Sequence, residues 1–391
     1  MLDKLLEDIN QQQKQATEPG FSTFVSASAG TGKTKVLVDR FIRLMLEENV
    51  EPKKILCITY TNTAADEIKH RLITKLAELN DNADSLSAAP RINKVYQTFL
   101  LQYNELKIFT IHGFCYQILG RYWASKNQRS KEIIDSEQGS LFLKNAIINA
   151  ILEQKVEAAR LLSEYEIIYL QKILSNAINA YQTHQLEFIK IPELAADPFV
   201  DLYQLHKDKF EAAFLREFAD QKELVDFVSI FFYTKSGKKR KKLVKLEHLS
   251  EEAFEEIESL TDEAFEKLRE AKFHNLNHDI GVLFDNAYAE YSRLKEENFL
   301  IDFNDILRDT LYALNNDERA IQLLYHIDLS IDHIMVDEAQ DTSPVQWKIL
   351  KLITAEYFAG EARRDTAPTI FIVGDFKQSI YSFQGANPFA F

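Results

Sequence analysis

Phe24-Val-Ser-Ala-Ser-Ala-Gly-Thr-Gly-Lys-Thr34 reads as a buried strand that runs into a phosphate-binding loop and then a helix. Ser22 to Ser26 is short, apolar at its middle and β-compatible, and Lys35 to Leu46 carries helical apolar spacing. Gly30 and Gly32 let the backbone turn so that successive N–H groups point inward, which at a helix N-terminus makes an anion site. In such a loop Lys33 reaches the β- and γ-phosphates of ATP, and the Thr34 hydroxyl is the natural protein ligand for Mg2+. The general pattern has glycine where this chain has Ala27, and a small residue still fits there. A glycine-containing turn that binds nothing competes for the loop alone, but the flanking strand and helix weigh against it.

The 391 residues are too many for one ordinary core and suggest two domains, one interrupting the other. With 46% hydrophobic and 27% charged residues the composition is that of a soluble globular protein, and no uncharged apolar run is long enough for a membrane span. The N-terminus, Met1-Leu-Asp-Lys-Leu-Leu-Glu-Asp8, has neither the basic start nor the apolar core of a secretion signal, which points to the cytoplasm. Cys57 and Cys115 fall in an expected strand and an expected helix, where they act as small apolar residues. A net charge of −14 argues mildly against nucleic acid, although a local basic or aromatic channel decides contact while the remaining surface stays acidic.

Along the chain, a glutamine cluster (Gln11, Gln12, Gln13, Gln15) ends a short helical pattern ahead of the loop. It is either a polar helix end or the source of an amide that reads an adenine edge. Lys54 to Tyr60 and Leu106 to Ile111 are further buried strands, each followed by a helix, from Ala64 and from Phe114. Residues 80–95 read as a linker rich in Asn, Asp, Ser and Pro. From about 120 to 298 strands nearly vanish and amphipathic helical patterns take over, as in Gly139 to Gln154 and Ser250 to Ala271. The strand pattern then returns with Asp332 to Asp337 and Thr369 to Asp375. The fold class expected is α/β: a doubly wound parallel sheet carrying a large helical insertion, with ligands at the C-terminal ends of the strands. The boundaries are 1–119, 120–298 and 299–391, the first and last segments sharing the sheet.

The strand ending at Val336 delivers Asp337 and Glu338 to the same edge as the loop. Asp337 can hold magnesium through its water shell, and Glu338 can orient and polarise a water for attack on the γ-phosphate; helix capping is the competing reading of the pair. Gln378, just after the last strand, is placed to sense the γ-phosphate. Tyr381 and Phe383 suit stacking on unpaired bases, with packing beneath a loop as the plainer alternative.

Taken together, the chain resembles the N-terminal ATPase half of a superfamily 1A DNA helicase of the UvrD/Rep class, and within it the AddA-like (RecB-like) subunits of double-strand-break repair. The resemblance is carried, in order, by Ala27-Ser-Ala-Gly-Thr-Gly-Lys-Thr34, Thr59-Tyr-Thr-Asn-Thr-Ala-Ala-Asp-Glu-Ile68, Phe109-Thr-Ile-His-Gly-Phe-Cys115, Asp302-Phe-Asn-Asp-Ile-Leu307, Val336-Asp-Glu-Ala-Gln340 and Val373-Gly-Asp-Phe-Lys-Gln-Ser-Ile-Tyr381. It implies a RecA-like P-loop NTPase sheet in which Ala27, Ser28, Ala29, Gly30, Thr31, Gly32, Lys33, Thr34 and Lys35 cradle the nucleotide and Gln13 reads the adenine. It also implies that Lys33, Glu338 and Gln378 serve catalysis, with Thr34 and Asp337 on the metal. Tyr60, Thr61, Asn62, His112, Tyr381 and Phe383 fall at DNA-contacting positions, though His112 also fits a purely structural role. The chain departs from the family in carrying Thr63 where lysine is frequent, and Gly113 where serine or alanine is frequent.

The basic run Lys235 to Lys245 matches a segment that touches duplex DNA in the AddA-like subgroup, with a solvated loop as the alternative. Partners implied are single-stranded and duplex DNA, a polypeptide carrying a second motor domain with its arginines, and an AddB-like subunit. Ending at Phe391, the chain is expected to be one half of a motor with neither the second motor domain nor a nuclease domain. The alternative is a nucleotide- and DNA-binding module without turnover of its own.

Overall fold

The continuous apolar runs of the sequence form strands. Ile55–Thr59 and His333–Val336 are buried throughout, whereas Thr23–Ser26, expected to be buried, is an edge strand with Phe24 49% exposed. A computed structural model describes residues 11–28, 30, 32–82, 88–184, 207–217, 219, 221–233, 239–240, 248–318, 322, 331–359, 368–375 and 377. The first part holds α1 (Gln11–Ala16), β1 (Thr23–Ser26), α2 (Lys33–Glu47), β2 (Ile55–Thr59), α3 (Asn62–Asp81), α4 (Ala89–Leu101), β3 (Lys107–Thr110), α5 (Ile111–Ser125) and β4 (Glu132–Ile133). Helices α6 (Ser136–Glu153), α7 (Lys155–Glu164), α8 (Ile167–His184), α9 (Gln221–Phe232) and α10 (Glu251–Glu297) follow. The chain then gives β5 (Leu300–Ile301), α11 (Phe303–Asn316), β6 (His333–Val336), α12 (Pro344–Ala359) and β7 (Thr369–Gly374). Among the described residues no helix is long and apolar enough to cross a membrane.

Five strands make one sheet in the order β1-β7-β6-β2-β3, every neighbouring pair parallel. Their registers bring the C-terminal ends level: Ser26 pairs with Gly374, Val336 with Ile372 and with Ile58, and Thr59 with Thr110. Alternation then sorts side chains between two cores. Leu56, Ile58, Ile334 and Val336 pack with Phe114, Ile118, Ile306 and Ile349 from α5, α11 and α12. Ile55, Cys57, Met335 and Phe371 pack with Leu37, Phe41, Ile68 and Phe99 from α2, α3 and α4. Both cysteines are free and fully buried, as small apolar residues in these cores.

Two strand ends turn directly into helices because a threonine caps each one. Thr61 Oγ1 accepts from the Ala64 amide at 3.1 Å and Thr110 Oγ1 from the Gly113 amide at 3.1 Å. The helices therefore start at Asn62 and Ile111, two to three residues before the positions expected from apolar spacing. The linker expected over 80–95 is replaced by helix at both ends: α3 runs on to Asp81 and α4 begins at Ala89, with Pro90 in its first turn and Ile92 and Phe99 buried. Proline suits that position because a first-turn N–H has no helical partner to lose.

The chain divides into two compact units, one from 1–136, 182–184 and 295–391 and the other from 137–181 and 185–294. The boundary read at 119/120 falls inside α5, so the division comes after Ser136 instead. The first unit contains the sheet. The second is helical, with one core built from Ile147 of α6, Leu161 of α7 and Leu174 of α8 against Leu283, Phe284 and Ala287 of α10. A separate aromatic-rich cluster around Phe210, Phe232 and Ile257 completes it.

The motif Asp302-Phe-Asn-Asp-Ile-Leu307 has a structural basis. Asp302 caps α11 by accepting from the Asp305 amide at 2.8 Å, in a reciprocal capping box. Lys295, only 3% exposed, donates to Asp302 Oδ2 at 2.6 Å and also to Asp305 Oδ2. Removing the ammonium leaves two buried carboxylates side by side, with Asp305 keeping only the half-exposed Arg308 at 2.7 Å, so Lys295→Met is expected to cost about 3–5 kcal/mol of stability. Urea denaturation reads this; a loss below about 1 kcal/mol would mean the cluster is solvated in solution.

Candidate functional site

The loop after β1 begins at the sheet, where the Ala27 amide donates to the Gly374 carbonyl at 3.1 Å at the end of β7. Gly30 and Gly32 both take positive φ, 75° and 88°, a region that side-chain-bearing residues rarely enter. Gly32 is the N-terminal cap of α2, and the Val36 amide returns to its carbonyl at 2.9 Å. Thr34 and Lys35, half-buried, occupy the first turn. The first-turn N–H groups and dipole of a 15-residue helix thus face the loop, an arrangement that favours an anion.

Gln13 separates from its neighbours by position. It is half-buried while Gln11, Gln12 and Gln15 are exposed, and a Cβ placed on Gly32 would lie 3.4 Å from its Nε2. The segment that carries it is clamped from α2. Arg40, fully buried, donates to the carbonyls of Ala16, Glu18, Pro19 and Phe21, and Arg43 reaches the Lys14 carbonyl at 3.2 Å and Thr17 Oγ1 at 3.0 Å. Burial lowers the Arg40 guanidinium to about 10, with Arg43 nearby adding to the effect. Apolar spacing gives no hint of this clamp, because periodicity assigns arginines to the solvent face.

The opposite wall comes from β6. Asp337 is 5% exposed, and its Oδ1 accepts from the Glu338 amide at 3.0 Å. Desolvation, reinforced by the Glu338 charge, pushes its carboxyl up to about 6. Glu338 takes a left-handed backbone, φ 49° and ψ 47°, which swings its carboxylate toward the loop. There Lys33 Nζ lies 2.9 Å from Glu338 Oε2, joining residues 305 positions apart. The same oxygen accepts from Gln340 Nε2 at 2.6 Å.

Hydroxyl and carboxylate oxygens are the hard donors that magnesium takes, and a buried carboxylate destabilised by desolvation is one that a divalent cation would relieve. Thr34 and Asp337 therefore fit Mg2+. Among the described residues no group of three or more His, Cys, Asp and Glu forms a metal cage.

The remaining strand ends present different chemistry on the same edge. Beyond β2, Tyr60 is half-buried and Thr61 and Asn62 are exposed at the N-terminus of α3. Beyond β3, His112 stands edge-on to Phe303 with ring centroids 5.2 Å apart. Burial lowers its imidazole to about 4, so it is neutral near pH 7 and offers a ring rather than a charge. Phe303, 55% exposed beside it, escapes sequence reading, since a single aromatic at a helix start carries no periodic signal. Ala29, Thr31, Gln378, Tyr381 and Phe383 lie outside the described residues, as does the basic run except for two members. Of those, Lys239 pairs with Glu258 at 2.6 Å and Asp262 at 2.5 Å, and Arg240 donates to the Tyr233 carbonyl at 3.0 Å. Both are engaged within the helical unit.

A family model described as the UvrD/REP helicase N-terminal domain matches residues 9–391. The AddA component of the ATP-dependent helicase/nuclease of Thermoanaerobacter pseudethanolicus is 27% identical, with 97% of this chain and 36% of that protein covered. The protein of the same name from Staphylococcus aureus (strain MRSA252) is 24% identical over 96% of the chain and 35% of its own length. Its counterpart in Clostridium beijerinckii is 26% identical, covering 93% and 34%. The chain spans about a third of the length of these curated relatives.

The raised Asp337 carboxyl has a consequence for stability. The unfolded chain releases this proton near pH 4 and the folded chain at about 6, so the folded state is favoured below pH 4 and loses that advantage as pH rises to 6. At pH 7 the ionised group costs up to the order of 3 kcal/mol. Asp337→Asn keeps the oxygen that accepts from the Glu338 amide and removes the charge. Its melting temperature is expected above the parent's at pH 7, with the gap closing toward pH 4; an unchanged or lower value at pH 7 would contradict the assignment.

Proposed function

The chain belongs to the UvrD/REP helicase N-terminal domain family, and from that premise we propose that it is the ATP- and DNA-binding motor half of a repair helicase or translocase. The observation that carries this reading is the 2.9 Å approach of Lys33 Nζ to Glu338 Oε2, which joins the N-terminus of α2 to the acidic pair after β6. In this reading the sheet is a RecA-like P-loop NTPase fold, with ATP at the loop Ala27 to Thr34 and Gln13 against the adenine. The amides and Lys33 bind and orient the phosphates. Thr34 and Asp337 hold Mg2+, which when bound neutralises phosphate charge. Glu338 then orients a water for attack on the γ-phosphate and draws on its proton.

Single-stranded DNA would run along the other strand ends. The capped N-terminus of α3 at Thr61 and Asn62 offers amides to a phosphate, and Tyr60, His112 and Phe303 offer rings to bases. Tyr381 and Phe383 extend this assignment, and the basic run near Lys239 is proposed to touch duplex. The relatives are named as components of an ATP-dependent helicase/nuclease. By that likeness the proposed role is in double-strand-break repair in the cytoplasm, beside an AddB-like subunit.

Charge developing on the γ-phosphoryl oxygens calls for more cationic donors than Lys33, and an arginine finger is worth about 10³–10⁵ in rate. Residues 1–391 alone are therefore proposed to bind MgATP but turn it over near background. Lys33→Ala should abolish binding of a fluorescent ATP analogue, and unchanged affinity would sink the site. A polypeptide carrying a second motor domain should restore DNA-stimulated hydrolysis, and that gain should vanish in Glu338→Gln. No rescue would leave a binding module without turnover as the better account.

A further inference from the structure

Gln340 is 1% exposed and its amide is fully committed. Its Oε1 accepts from the Asp375 backbone amide at 2.8 Å, just past the end of β7. A backbone N–H can only donate, so that contact fixes the amide's orientation and turns Nε2 the other way. Nε2 donates to Glu338 Oε2 at 2.6 Å and to Asp341 Oδ2 at 3.3 Å. Asp375 in turn accepts from the Lys377 amide at 3.0 Å.

Two features make this connection consequential. Glu338 sits in a left-handed conformation that disfavours non-glycine residues, so contacts around it must hold it there. Its Oε2 is shared by Lys33 and Gln340. If phosphates recruit Lys33, Gln340 is the described side chain that still holds that oxygen.

We propose that Gln340 is a positioning residue for Glu338: its amide fixes the carboxylate that orients the attacking water and ties it to the backbone at the end of β7, passing nucleotide-dependent movement of Glu338 to Asp375. This rests on the hydrolytic reading of Glu338 given above. Its amide bonds go to Glu338, Asp341 and the Asp375 backbone rather than to Lys33, Thr34 or Asp337, so its loss should spare ground-state binding and weaken what depends on Glu338 geometry.

The test uses the 391-residue chain with Gln340→Leu, which removes all three side-chain hydrogen bonds at similar size, and Gln340→Glu. MgATPγS should bind Gln340→Leu within about twofold of the parent, whereas MgADP with aluminium fluoride, a transition-state mimic, should bind about tenfold more weakly. Hydrogen exchange in a peptide covering 369–377 should change on MgATPγS binding in the parent and not in Gln340→Leu. A protonated glutamate presents an O–H and a carbonyl where the amide presents its donor and acceptor. Burial among Asp337, Glu338, Asp341 and Asp375 favours the protonated form and Lys33 opposes it, so lowering the pH moves this side chain toward the hydrogen-bonded acid. Gln340→Glu should therefore recover toward the parent measured at the same pH, and Gln340→Leu should not. Parallel weakening of both ligands, or an intact exchange response in Gln340→Leu, would overturn the proposal while leaving the nucleotide site standing. Failure of the parent to bind MgATPγS would overturn the reading beneath it.

Discussion

The Lys33 to Glu338 ion pair exists only because β1 and β6 run parallel in one sheet with β7 between them. The two residues come from opposite ends of the chain, and neither local propensity nor helix packing would bring them together. Parallel pairing in register makes each C-terminal strand end open onto the same edge, so every segment leaving the sheet there contributes to one surface. A slip of one residue in β6 would exchange its two faces, turning Ile334 and Val336 away from the core they share with α5, α11 and α12. Hydrophobic sorting thus fixes the register, and the register fixes the site.

Buried polar and charged groups are placed wherever that edge needs rigidity. Arg40 and Arg43 hold the segment leading from Gln13 into β1, Lys295 holds the start of α11, and Gln340 spans from Glu338 to the end of β7. Each anchors a segment at or just beyond the end of a strand or helix. Asp337 is the opposite case, a carboxylate kept in a desolvated place at a cost to folding. A cost of that kind is characteristic of groups kept for a ligand rather than for the fold.

The inner sheet strands were legible because parallel strands covered on both faces leave unbroken apolar runs, as in Ile55 to Ile58 and Ile370 to Val373, while the edge strand β1 is half-exposed and was legible from the loop that follows it. Loop, acidic pair and helix after β1 followed from residue chemistry at the strand ends. What escaped reading was long-range or polar. The helix from Ala89 was hidden by polar composition around Pro90, although burial of Ile92 and Phe99 holds it in place. The Arg40 clamp left no mark in the sequence, because helical periodicity weighs apolar residues and says nothing of a cluster of carbonyls that lies about twenty positions away in sequence. Gln340 stands in the motif Val336 to Gln340 with no role legible there, since the group its carbonyl oxygen accepts from is a backbone amide 35 residues on.

The central claim, that one sheet edge assembles a magnesium–nucleotide site from the loop after β1 and the acidic pair after β6, is tested most directly by a crystal structure of the chain with magnesium and a non-hydrolysable ATP analogue. The account requires the triphosphate at the N-terminus of α2, the metal within reach of Thr34 and Asp337, and Lys33 turned from Glu338 to the phosphates. An analogue bound elsewhere, or phosphates at the loop with Lys33 still paired to Glu338 and no metal near Asp337, would contradict it.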